Sequence, residues 1–173
     1  MARIILIHGS WHWAGCFHKI EKLLRDNGHT VTSINNASHG EDNTAWDAID
    51  SMKTYNNAIA ALNASEEPAI LVGHSMGGVS LSHLADIMPD KIKKLVYLTA
   101  FMTNTEKSAN DYIMAHAENP VCAPLWAVLA PVNEWAGIEV AEFPDTTVHT
   151  LESSHSPFYS QPDAVADIIN TVA

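Results

Sequence analysis

Cationic residues are scarce in this chain of 173 residues: nine Lys and Arg stand against 20 Asp and Glu, a formal net charge of −11. A surface that acidic repels phosphate backbones and anionic headgroups, so no nucleic acid and no membrane surface is expected as a partner. Cysteine is almost lacking, with only Cys16 and Cys122. The two could pair, but nothing in their spacing asks for it, and neither falls in a C-x-x-C or Cys/His metal pattern; both are expected as reduced, buried thiols. No apolar run approaches the ~20 residues that a membrane span needs. No secretory pattern opens the chain, since Met1-Ala2-Arg3 passes straight into a short apolar run with no cleavage site behind it. A cytoplasmic protein is expected, in which the sequons Asn36-Ala37-Ser38 and Asn63-Ala64-Ser65 have no meaning. Repeats, low-complexity tracts and interdomain linkers are also lacking, and the length suits a single domain over 1–173.

What is present is a globular balance, 47% hydrophobic and 17% charged. Short apolar runs alternate with amphipathic stretches, the pattern of a mostly parallel sheet with helices on both faces, a three-layer α/β/α architecture. Strands are expected at 4–7, 30–34, 69–72, 94–98 and 147–151, in a sheet of about six. Phe17, Ile20, Leu23 and Leu24 recur at helical spacing until Asn27-Gly28 stops them. Trp46, Ile49, Met52, Tyr55, Ile59 and Leu62 draw one stripe down an expected helix over 45–63. A helix is expected from about Met76 to Met88, and another near the end carries Val165, Ile168, Ile169 and Val172. Between 103 and about 132 the alternation fails, and Pro120, Pro124 and Pro131 interrupt it. That stretch reads as an insertion over a sheet edge, followed by a helical patch over 135–143.

Three short motifs sit at strand ends. Gly73-His74-Ser75-Met76-Gly77 is a G-x-S-x-G sequence between a strong strand and a strong helix. A sharp turn there holds Ser75 strained, with its hydroxyl raised above the sheet, and the flanking glycines let backbones approach. The following helix turns its N-terminus to the site and favours developing negative charge. Ser75 is therefore the candidate nucleophile. His8-Gly9-Ser10 follows the first strand, where a backbone N–H can serve as an oxyanion donor, so the Ser10 and Met76 amides are the candidate oxyanion hole. Ser154-His155-Ser156-Pro157 follows the last expected strand. Parallel strand ends converge at one edge, which makes His155 the candidate base, while His149 inside that strand would face a packed side. No metal site is expected: Gly9 lies between His8 and His12, which rules out a helical pair, and no H-E-x-x-H occurs. The chemistry asks for no cofactor.

Ile5-Leu6-Ile7-His8-Gly9-Ser10-Trp11-His12-Trp13, Gly28-His29-Thr30-Val31, Leu71-Val72-Gly73-His74-Ser75-Met76-Gly77-Gly78 and Thr150-Leu151-Glu152-Ser153-Ser154-His155-Ser156-Pro157-Phe158 together resemble one group of α/β hydrolases. The group includes plant methylesterases, salicylate-binding esterases and hydroxynitrile lyases. The resemblance implies an α/β-hydrolase fold and a serine esterase acting on small apolar acyl or aryl esters. Trp11, Trp13, Phe101 and Met102 would line its pocket. Lyases of the group carry threonine at the position of Gly9 and lysine at that of Ser156, so the resemblance points to the esterase branch. Two departures stand out. The helical cap that members carry is much shortened, which exposes apolar surface and points to a homodimer. The triad aspartate would align with Ala127; Glu134 and then Glu106 are the nearest substitutes, and Asp145 would lie at the opposite sheet edge. A slow esterase, a hydrolase fold used for binding small molecules, and a lyase in third place all stay open.

Overall fold

Ile4, Ile5, Leu6 and Ile7 are all apolar because their strand is covered on both faces; each is at most 1% exposed. The structure is a computed structural model and describes residues 1–49, 53–103, 111 and 146–173. Among these residues four strands form one parallel sheet: β1 (Arg3–Ile7), β2 (Thr30–Ile34), β3 (Ala69–His74) and β4 (Ile92–Leu98). Their order is β2-β1-β3-β4. Helices α1 (His18–Asp26), α2 (Asn56–Asn63), α3 (Gly77–Ile87), α4 (Pro157–Ser160) and α5 (Pro162–Val172) pack around it.

Alternate strand residues feed two separate cores, because successive side chains leave a strand on opposite faces. Ile4, Leu6, Val31, Ile70 and Val72 pack with Ile20 and Leu24 of α1 and with Val165, Ala166 and Ile169 of α5. Ile5, Ile7, Ile34, Ala69 and Leu71 pack with Ala58 and Leu62 of α2 and with Leu81 and Leu84 of α3. The expected three layers are thus present. Asn27 and Gly28 stop α1 as expected: Gly28 takes φ +86°, and the His29 N–H returns to the Leu24 carbonyl at 3.1 Å.

Two sequence expectations fail. The helix over 45–63 begins only at Asn56, after short 3-10 turns at Trp46–Ala48 and Lys53–Tyr55. Ala45 and Ile49 are extended, and Trp46, the first residue of the stripe, is 80% exposed. Asp42 is the physical reason. Its carboxylate accepts the Ser38 N–H at 3.0 Å, the Thr44 N–H at 2.9 Å and the Asn57 amide at 2.8 Å, fixing a turn where helix would have to begin. The run 147–151 is the second failure, being irregular and not a strand. Its alternation has no buried face to serve: Thr147, Val148, His149 and Thr150 are exposed, and only Leu151 packs against a core. His149 therefore does not face a packed side. With that run lost, the sheet has four strands among the described residues against the expected six or so.

Cys16 is a free, buried thiol, and burial pushes its pKa up to about 12. Asn36, in the first sequon, is 3% exposed and hydrogen-bonded to His8, so its amide is committed inside the fold. Among the described residues no helix is long and apolar enough to cross a membrane. Cys122, the patch over 135–143 and nearly all of the expected insertion lie outside the described residues.

Candidate active site

The strand order reverses between β1 and β3: α1 leads away on one face of the sheet and α3 on the other. In open parallel sheets the crevice at the strand C-termini opens at such a reversal. Ile7 pairs with Gly73 in the parallel register, so two residues further on Gly9 stands beside Ser75. The approach is close. A Cβ on Gly9 would lie 2.6 Å from the Ser75 Cβ and 2.8 Å from the His74 carbonyl oxygen, so only glycine fits there.

Ser75 is a non-glycine residue at φ +54°, strained as a residue raised on a tight strand-to-helix turn should be. The turn is held on both sides. The Ser75 N–H donates to the Leu98 carbonyl at 3.4 Å, and its own carbonyl accepts from Phe101 at 3.2 Å and from Gly78 at 3.0 Å. Met76 caps α3, and Gly77 opens it with no room for a side chain, since a Cβ there would meet the Ile7 carbonyl oxygen at 2.5 Å. Ser10 reaches the same place from β1, its Oγ donating to the Met76 Sδ at 3.3 Å. Ser75, Ser10 and Met76 are thus brought together.

His155 stands on the irregular segment before α4. Its carbonyl accepts from Thr99 Oγ1 at 2.7 Å and from His74 Nε2 at 3.0 Å. Its ring lies 4.8 Å from that of His74. His155 as a whole residue is solvent-exposed, but local desolvation and the nearby His12 push its pKa below the ordinary histidine value. No hydrogen bond joins Ser75 Oγ to His155; the two are linked through His74, which adjoins Ser75 in sequence. Phe158, fully buried, packs edge-on against His74 at 4.8 Å and backs this corner, with His12 at 5.1 Å from His74.

His8 turns away from the crevice. Its Nδ1–H faces the Gly9 carbonyl at 2.7 Å, and its Nε2 accepts the Asn36 N–H at 3.0 Å. Burial lowers its pKa to about 4, so it is neutral and ties the β1 turn to the β2 turn. Trp11 is 93% exposed, and Trp13 lines an open cleft of about 510 Å³ with Ala14, Gly15, Asn35, Gly40 and Glu41. That cleft does not include Ser75. The loop of the two tryptophans leads outward after Trp11, which takes φ +66°. Met102 is 7% exposed. Glu106, Ala127, Glu134 and Asp145 lie outside the described residues. Among the described residues no group of three or more His, Cys, Asp and Glu could hold a metal ion. Sequence reading missed His74 and Thr99. Their signals were slight: the middle position of G-x-S-x-G and the residue just past β4.

Comparison with known proteins agrees with this geometry. The Alpha/beta hydrolase family matches residues 4–137. Methylesterase 1 of Arabidopsis thaliana is 34% identical over 139 residues, 78% of this chain and 49% of that protein. Methylesterase 7 of the same plant is 38% identical over 104 residues, 58% of this chain and 40% of that protein. The chain therefore spans less than half the length of these two relatives. The crystal structure of a methylesterase from Arabidopsis superposes with a TM-score of 0.77 at 21% identity, covering 99% of this chain and 98% of that one, which shows a shared fold. The reversal at β1 and β3, the strained Ser75 turn and the family match over most of the chain lead to one conclusion: this chain belongs to the alpha/beta hydrolase family.

Proposed function

We propose that the chain is a serine esterase that hydrolyses small carboxylic esters. The observation that carries this reading is Ser75 at φ +54°, on the β3–α3 turn and against Gly9 at the strand reversal. Ser75 Oγ attacks the ester carbonyl, and His155 takes its proton and returns it to the leaving alcohol. The Met76 N–H, at the start of α3 where helical amides lack intrahelical acceptors, and the Ser10 N–H receive the oxyanion. An acyl-enzyme forms as the alcohol leaves, and water, deprotonated by His155, releases the acid. Gly9 and Ser156 favour ester over cyanohydrin as substrate. The relatives named methylesterases support a small ester, and the free thiol of Cys16 suits a reducing, cytoplasmic setting.

A triad acid would orient His155 and stabilise its imidazolium; without one, rates in serine enzymes fall by about 10⁴-fold. Glu134 and Glu106 are the candidates for that role. The unjoined Ser75 Oγ and His155 favour a second reading, a small-molecule binding protein with little turnover. The test compares wild type with Ser75→Ala on p-nitrophenyl acetate and reads the mass shift after fluorophosphonate treatment. A Ser75-dependent rate and one adduct are expected. Absence of both would sink the esterase in favour of the binding protein, and mandelonitrile cleavage by the wild type would revive the lyase.

A further inference from the structure

A general base must be held to within a fraction of an ångström of its working position, yet His155 lies on a segment without strand or helix. We infer that His74 and Thr99 are positioning residues, clamping the His155 backbone carbonyl so that base and nucleophile share one support. This deepens the esterase reading and rests on His155 being its base.

The clamp is a two-donor site. A carbonyl oxygen has two lone pairs, and here Thr99 Oγ1 approaches at 2.7 Å and His74 Nε2 at 3.0 Å. Both donors also belong to the support of Ser75. His74 ends β3 immediately before Ser75. Thr99 follows Leu98, the last residue of β4, whose carbonyl accepts the Ser75 N–H at 3.4 Å; the single proton of the Thr99 hydroxyl is shared between that carbonyl at 2.8 Å and the His155 carbonyl at 2.7 Å. The ends of β3 and β4 therefore hold the nucleophile turn and the base segment at once.

Each clamping residue is kept at a cost. Thr99 is β-branched yet sits at φ +46°, a conformation such residues avoid unless their surroundings impose it. His74 is fully buried, and burial brings its pKa down to about 3, so it is neutral. Its proton must be on Nε2, because a carbonyl oxygen can only accept. Nδ1 is then a bare acceptor with no partner among the described residues, next to Gly9. His155, His12 and His8 are the charged or titratable groups acting on His74. A buried histidine with one nitrogen unpaired is explained by the bond its other nitrogen makes.

Thr99→Val removes the hydroxyl and keeps the side-chain shape, while Thr99→Ser keeps the hydroxyl. On p-nitrophenyl acetate, Thr99→Val is expected to lower kcat about 10-fold with KM within about twofold of wild type, and Thr99→Ser to recover most of the loss. His74→Gln keeps an N–H donor at similar reach and should lose less than His74→Leu. NMR of the same proteins should show the His155 carbonyl ¹³C resonance and the His155 ring ¹⁵N resonances moving in Thr99→Val and returning in Thr99→Ser. These resonances read the clamp whether or not the chain turns over an ester. Wild-type kcat together with unmoved His155 resonances in Thr99→Val overturns the inference. Failure of the base reading is read on a different variant, His155→Gln, which at full rate would remove His155 from the reaction.

Discussion

At the scale of single residues, the site is built from close backbone approaches. Gly9 lies against Ser75, and Gly77 lies against the Ile7 carbonyl. The β1 turn, the β3 turn and the start of α3 meet where no side chain fits. A methyl group at Gly77 must push α3 away from β1, and the amide of Met76 moves with it. Gly77→Ala should therefore lower stability by about 1–3 kcal/mol, the usual cost of overpacking. It should also reduce the Ser75-dependent rate further than the lost stability explains. Urea unfolding and p-nitrophenyl acetate kinetics at a temperature where the variant is folded would separate the two effects. An unchanged rate would show that the position of the Met76 amide is immaterial.

At the scale of elements, polar side chains decide where secondary structure starts and stops. Asp42 and Asn57 delay α2 to Asn56, and Asn57 also donates to the Asn35 carbonyl at 2.8 Å. The carboxyl of Asp42 is held well below the usual range by hydrogen bonds from Thr44, Asn57 and Ser38. At the other end of α2, Arg3 reaches across from β1. It donates to the Leu62 carbonyl at 3.2 Å and the Glu67 carbonyl at 2.9 Å, and also to Ala61. The Leu62 carbonyl lies in the last turn of α2, where helical donors run out, while that of Ala61 also accepts the Ala64 N–H at 3.3 Å; Arg3 is 8% exposed, so little water can replace it. Arg3→Met keeps the apolar stem and removes the donors. A loss of about 2–3 kcal/mol in urea unfolding is expected, from charged hydrogen bonds to buried acceptors. A loss below about 0.5 kcal/mol would mean that the carbonyls find other partners. The α2 start was illegible in sequence for the same reason. The stripe from Trp46 to Leu62 has helical spacing, but the Asp42 turn depends on groups spread from Ser38 to Asn57.

At the scale of the whole molecule, burial of neutral histidines ties stability to pH. The pKa of His8 falls to about 4 and that of His74 to about 3, whereas both sit near 6.5 in the unfolded chain. Between those values the unfolded chain binds more protons, so acid favours unfolding. Each unit of difference is worth ~1.4 kcal/mol per group, which makes the combined loss several kcal/mol by pH 4. Carboxylates with depressed pKa, such as Asp42 and Glu66, contribute in the same direction but only near and below ordinary carboxylate values. Tm should therefore fall steadily from about pH 6.5 to 4.5, and His8→Gln and His74→Gln should each flatten that slope. A Tm that stays level across this window in the wild type would contradict the neutral burial of both rings.

The sequence by itself determined the layers and the candidate residues. Short apolar runs between turn signals and amphipathic stretches read as strands covered on both faces, and G-x-S-x-G reads as a nucleophile turn because it stands between such a run and a helical pattern. The placement of Ser75, Ser10 and Met76 at the ends of β1 and β3 was legible because each lies within a few residues of a strong strand, so local pattern locates them in the fold. His155 was named for the wrong local reason: the strand expected before it is absent, and the segment is held instead by side chains from the ends of β3 and β4. Only the tertiary structure decided that support, as it decided the late start of α2 and the outward course of Trp11. These features depend on hydrogen bonds and packing between residues far apart in the chain. His74 and His155 are 81 positions apart, and no periodicity in a linear sequence encodes a bond of that span.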